Sequence, residues 1–171
     1  MADRENEKSS EDEKSDLEEL KEKYESLKEK HSLPEFDKLN EDFQIEKVSE
    51  HESDYLIREV RKFVAEKAMN YLRFIEGVLN PVNGSMFVFS FIKTLTSDEK
   101  SILSDIYKKL AKREVQLIEL DLVYSEESEA KYISEIFEEW QEIKRDFSKV
   151  LKKVQENWDV KTEKNGSSLV N

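Results

Sequence analysis

The sequence predicts an all-α fold: an up-down helical bundle with three long core helices, a short apolar helix, and an N-terminal helix and strap. Three observations carry this. The 171 residues include only three Gly and two Pro, and sheet-rich folds need more turn residues than that. Charged residues make up 40% and apolar ones 37%, against roughly 25% and 45–50% in an average domain, a shift that suits long helices with solvated faces. Apolar residues recur at intervals of three and four along most of the chain, the period of a helix with one buried face.

The stretch from Tyr55 to Leu79 is the predicted centre. Ile57, Val60, Val64, Ala68, Leu72, Ile75 and Leu79 form one stripe, and Leu56, Phe63, Met69 and Phe74 a second. A helix with two apolar stripes needs neighbours on at least two sides. His51, Glu52, Ser53 and Asp54 supply candidate N-caps ahead of it.

Ahead of that helix, residues 1–15 are charged and polar and are expected to be disordered, because they offer too little apolar surface to offset ordering entropy. A heptad-patterned helix follows at 16–32, with Leu17, Leu20, Tyr24, Leu27 and His31 as its seam. Two heptads are short for an isolated coiled coil, so the seam either lies on the bundle or docks a partner or second copy. Pro34 suits a first helical position. Leu33, Phe36, Leu39 and Phe43 mark the segment to Val48 as a strap, with an extended piece expected at Phe43 to Glu46.

Asn80, Pro81, Asn83 and Gly84 end the central helix. The stretch Met86 to Ile92 is the most apolar in the chain and reads as a short helix, since no other strand is available to pair with it. Thr96 to Glu99 matches a capping box, S/T-x-x-E. The helix it opens, Ser97 to Val123, carries Leu103, Ile106, Leu110, Leu117, Leu120 and Tyr124. The last helix, Glu126 to Trp158, holds Ile133, Ile136, Trp140, Ile143, Phe147, Val150 and Val154 at heptad spacing, with Phe137 and Leu151 beside them. The bundle domain is thus 33–158, and the tail 159–171 is expected to be disordered.

The short break near Ser125 makes the last two helices antiparallel, so that facing residue numbers add to about 250. Lys108, Lys109, Lys112 and Arg113 then meet Glu138, Glu139 and Glu142. Lys144, Arg145, Lys149, Lys152 and Lys153 meet Asp98, Glu99 and Asp105. The hairpin tip stays acidic: Glu114, Glu119, Asp121, Glu126, Glu127, Glu129 and Glu135 gather against Lys131 alone.

The net charge of −12 opposes phosphate and anionic lipid surfaces. With no cysteine, disulfides and thiol chemistry are excluded. No run of about 18 apolar residues spans a membrane, and the N-terminus lacks the apolar core of a secretory signal. Cytoplasmic is the expected location. The two histidines, His31 and His51, form neither Glu-x-x-His nor H-E-x-x-H. There is no calcium-loop order and no glycine-rich phosphate loop. No metal, cofactor or catalytic set is assigned. Glu114 and Asp121 read as salt-bridge partners of Arg61, Lys67 or Arg73 rather than as a paired-carboxylate site.

The function this supports is a non-catalytic protein–protein interaction or scaffold protein. Its expected contact residues are Leu17, Leu20, Tyr24 and Leu27 on the seam, Glu119, Asp121, Glu126, Glu127 and Glu129 at the tip, and Phe87, Phe89 and Phe91 in the apolar stretch. The partner would be helical or basic, or a second copy through the N-terminal helix. Two other classes are carried: an enzyme or ligand-binding bundle with a pocket near Glu114 and Asp121, and a nucleic-acid binder through Lys144 to Lys153.

Overall fold

A computed structural model describes the backbone of residues 2–50 and 53–166 and the side chains of 16–50 and 53–158. The fold is an all-α up-down bundle, and no strand occurs among the described residues. In order, the elements are α1 (Ala2–His31), α2 (Phe36–Phe43), a 3-10 helix (Ile45–Glu50), α3 (Leu56–Leu79), α4 (Met86–Thr94), α5 (Ser97–Leu122) and α6 (Glu126–Gly166). Helix therefore extends at the backbone into both ends read above as disordered. Met1 and 167–171 lie outside the described residues, as do His51 and Glu52 of the expected cap.

The chain falls into two compact units, Met1–Lys67 with Gln116–Phe137 and Ala68–Val115 with Glu138–Asn171. Each of the three long helices contributes a segment to both.

In the first unit the N-terminal helix lies on the strap. Leu20 and Tyr24 of α1 are buried, with Tyr24 edge-on to Phe36 at 5.3 Å. Its hydroxyl donates to the Pro34 carbonyl at 2.8 Å. Pro34 is not at the first helical position: α2 opens at Phe36 with Glu35 before it. Nor is Phe43 to Glu46 extended. Gln44 adopts the left-handed conformation (φ 54°) that caps α2, and the 3-10 helix starts at once. A residue in that region stops a helix and turns the chain, so Ile45 and Val48 both reach the core. The strap meets α3 where Lys67 donates to the Asp42 carbonyl and lies over the Phe43 ring. Ahead of α3, the Ser53 hydroxyl accepts from the Tyr55 amide at 3.1 Å.

The first stripe of α3 is the core in both units: Ile57, Val60, Val64, Ala68, Leu72 and Ile75 are buried, and Leu79 is exposed. The second stripe is covered less completely. Met69 is buried, while Leu56, Phe63 and Phe74 are half-buried, and Lys62, Glu66, Asn70, Arg73 and Glu76 form a solvent stripe.

In the second unit α4 is a helix, as its length and surroundings predict. Ser85 caps it by accepting from the Val88 amide at 3.3 Å. Thr96 and Glu99 make the capping box that opens α5: the Glu99 carboxylate accepts from the Thr96 amide at 2.7 Å and from its hydroxyl. These bonds hold the Glu99 carboxyl below its ordinary range. Lys109 reaches Glu142 at 2.6 Å, and the Arg113 Nε reaches Glu139 at 2.9 Å. Helices α5 and α6 are therefore antiparallel in the expected register. Lys108 instead pairs with Asp105, Lys149 with Asp146 and Lys153 with Glu156, each along its own helix.

Candidate partner-binding groove

The second unit carries a groove of about 310 Å³ lined by Asn70, Tyr71 and Phe74 of α3, Phe87 and Phe91 of α4, and Phe147 and Leu151 of α6. Helical spacing explains how three elements bring these side chains together. Asn70 and Phe74 are four apart, as are Phe87 and Phe91, and Phe147 and Leu151, so each pair shares one face of its helix.

The walls are fixed by aromatic packing. Phe74 meets Phe91 at 5.5 Å and 84°, and Phe147 at 6.1 Å and 82°. Tyr71 meets Phe147 at 5.5 Å and Trp140 at 5.2 Å, again edge to face. Phe87 lies 6.0 Å from Phe91 and 6.1 Å from Trp158. Such contacts contribute roughly 0.5–1.5 kcal/mol each beyond area burial. The end of α4 is tied down as well, since the Asn157 amide donates to the Thr94 carbonyl at 2.9 Å.

What remains uncovered is the lip. Phe87 is 56% exposed, whereas Phe91 is buried as the groove floor; Phe89 and Met86 are exposed on α4 as well, but they do not line the groove. Of the three phenylalanines expected as contacts, Phe91 is therefore structural and Phe87 is the exposed wall. Tyr71, Phe74, Phe147 and Leu151 were not expected at a site. Phe74 and Leu151 stood in the sequence as members of second stripes, and a second stripe with no helix to cover it was the available signal.

The other expected contacts lie in the first unit. Leu17 and Leu27 are half-buried, and Leu20 and Tyr24 face inward onto the strap. As placed, the seam is largely a packing surface. Three of the seven acids of the tip, Asp121, Glu126 and Glu129, are compensated by bases distant in sequence. Glu126 accepts from Lys30 at 2.6 Å and contacts the His31 ring nitrogen at 2.7 Å, and these bonds lower its pKa. Glu129, expected as a docking residue, has no exposed surface: Arg58 reaches it at 3.1 Å and Arg61 at 2.7 Å. The second Arg61 nitrogen reaches Asp121 at 2.8 Å, which selects Arg61 among the three expected partners of that carboxylate. Arg58 also donates to the Leu120 carbonyl and lies over the Tyr124 ring. Glu119 and Glu127 are exposed, next to Ile118, Leu122 and Val123, which are exposed too. Glu114, in the second unit, is exposed.

This arrangement offers shape and apolar area rather than reactive groups. No cluster of three metal-ligating side chains occurs among the described residues, and no helix there is long and apolar enough to cross a membrane. No family model, curated protein or solved structure matches the chain.

Proposed function

We propose that the chain is a non-catalytic protein-interaction module that holds an apolar segment of a partner in the groove between α3, α4 and α6. The observation that supports this is an open groove with fixed aromatic walls. Folding has ordered Phe74, Phe91 and Phe147 against one another while Phe87 stays more than half exposed to water. Apolar surface left exposed in a contiguous patch gains free energy only when something covers it. A preordered site also loses less side-chain entropy on binding. The Arg61 bridge to Asp121 occupies one of the two carboxylates on which the enzyme or ligand-binding alternative relied.

The test is a pull-down with the wild-type chain, followed by titration of each captured protein against purified wild type and Phe87→Glu. A partner seated in the groove should lose about 30-fold or more in affinity, the scale of an interface hot spot. Equal affinity of every captured protein for both forms overturns the proposal. Phe87 is more than half exposed, so the variant should keep the wild-type circular dichroism spectrum and lose only a few degrees of melting temperature with its contacts to Phe91 and Trp158.

A further inference from the structure

We infer that the groove's occupant is an amphipathic helix whose solvent face is acidic, an inference that rests on the groove reading above and narrows it to one class of partner. Three observations lead here. The chain presents no sheet edge among its described residues, so strand addition has no template, and helix-in-groove docking is the mode an all-α surface offers. The groove is apolar apart from Asn70 and the Tyr71 hydroxyl, so the face entering it must be an apolar stripe. The third observation is charge. The chain as a whole carries −12, yet the surroundings of the groove have the opposite sign. Within one helical turn of a lining residue in this unit, the bases are Arg73, Lys93, Lys144, Arg145, Lys149, Lys152 and Lys153, all exposed. The acids in that span are Glu76 and Asp146, with Glu156 just beyond it; Arg145 and Lys149 pair with Asp146 and Lys153 with Glu156, so bases still outnumber acids seven to three.

Two of the bases are placed at the lip. Lys144 precedes Phe147 by three residues and Leu151 by seven, which puts it on their face of α6. Arg73 is bonded through Nη1 to the Asn70 amide oxygen at 3.4 Å, and Asn70 lines the groove. An acidic helix seated on the apolar floor brings its flanking carboxylates within about one Debye length, roughly 10 Å at moderate salt, of this basic rim. A basic helix would meet repulsion at the same rim. Rim charges of this kind select partners and speed association more than they add affinity.

The experiment uses the full chain and three fluorescein-labelled helical peptides. All share leucines at i, i+3, i+4 and i+7; the remaining positions are Glu and Ala, Lys and Ala, or Gln and Ala. Fluorescence anisotropy at low salt should show the Glu peptide binding about tenfold tighter than the Lys peptide, with the preference shrinking as salt is added. Arg73→Glu with Lys144→Glu should reverse that order, and Phe87→Glu should weaken all three peptides. Equal binding of the three, still lost in Phe87→Glu, overturns the acidic-partner inference and leaves the groove reading standing. Binding that Phe87→Glu leaves unchanged, or no binding by any peptide, overturns both. Sedimentation without peptide provides the remaining arm. A dimer that Phe87→Glu dissociates overturns the inference, because the occupant is then a second copy.

Discussion

Glu129 has no exposed surface, and its carboxylate meets two guanidiniums, Arg58 at Oε1 and Arg61 at Oε2. A carboxylate in such a place is tolerated only while its charge is matched and its lone pairs are used. The same residue read from sequence alone was one acid among seven at a hairpin tip, because Glu129 takes its partners from 68 and 71 positions earlier in the chain. Nothing local in the last helix announces them. Arg58 and Arg61, by contrast, did carry a signal: they interrupt an apolar run, and Arg61 falls within one turn of Val60 and Val64 on the buried side. Removing the carboxylate leaves Arg61, itself buried, without its main partner. Glu129→Ala should therefore cost roughly 3–5 kcal/mol of stability, the range for breaking one side of a buried pair. Urea unfolding checks it, and a loss below about 1 kcal/mol would show that the pair is dispensable. Glu126 three residues earlier is half-exposed, and its bonds to Lys30 and His31 belong to the weak class of surface pairs.

At the level of elements, the sequence spoke most clearly where periodicity was long. Seven residues at heptad spacing placed α6, and six of the seven residues of the first stripe placed the core face of α3. Opposed charges gave the register of the last two helices, confirmed at Lys109 with Glu142 and Arg113 with Glu139. The strap was less legible. Its extended piece was inferred from alternation over four residues, too few to separate a strand from a left-handed cap followed by a 3-10 turn, which is what Gln44 makes. The heptad of α1 was ambiguous for a different reason. An apolar seam looks the same whether it faces a partner or its own strap, and only burial of Leu20 and Tyr24 decides between them. This changes the meaning of a truncation. Deleting residues 1–32 removes the cover of Leu39, Ile45 and Val48 as well as any docking surface. Loss of the buried Leu20 and Tyr24 side chains, at about 1.5–3 kcal/mol each, implies a fall in melting temperature of roughly 10 °C. A calorimetric scan that finds the shortened chain as stable as the full one would return the seam to the status of a free docking helix.

At the scale of the whole molecule, the 40 carboxylates and 28 lysines and arginines make stability a function of pH. Glu99 is held below the ordinary glutamate value of 4.5 by Thr96, Glu126 by Lys30 and His31, Glu142 by Lys109 and Glu156 by Lys153. Asp146 is held below its ordinary 3.8 by Lys149. In each case the folded chain binds its proton later than the unfolded chain does as pH falls. Their stabilisation is therefore complete above 4.5 and is lost as pH drops through 4.5 and on through the depressed folded values. The alkaline side has the opposite sign. Burial pushes the Tyr24 phenol above its ordinary 10.0, so the folded chain keeps a proton that the unfolded chain releases, and stability declines as pH rises past 10. Protonating the carboxylates also leaves the cations to repel one another across the surface. Melting temperature followed by circular dichroism should thus form a plateau between about pH 5 and pH 9 and fall on both sides. The acid limb should be reduced in Glu99→Ala, which starts from a lower plateau because the capping bonds are gone at every pH. A melting temperature at pH 3 equal to that at pH 7 would mean that the capping box and the surface pairs contribute nothing, and that apolar packing alone holds the helices together.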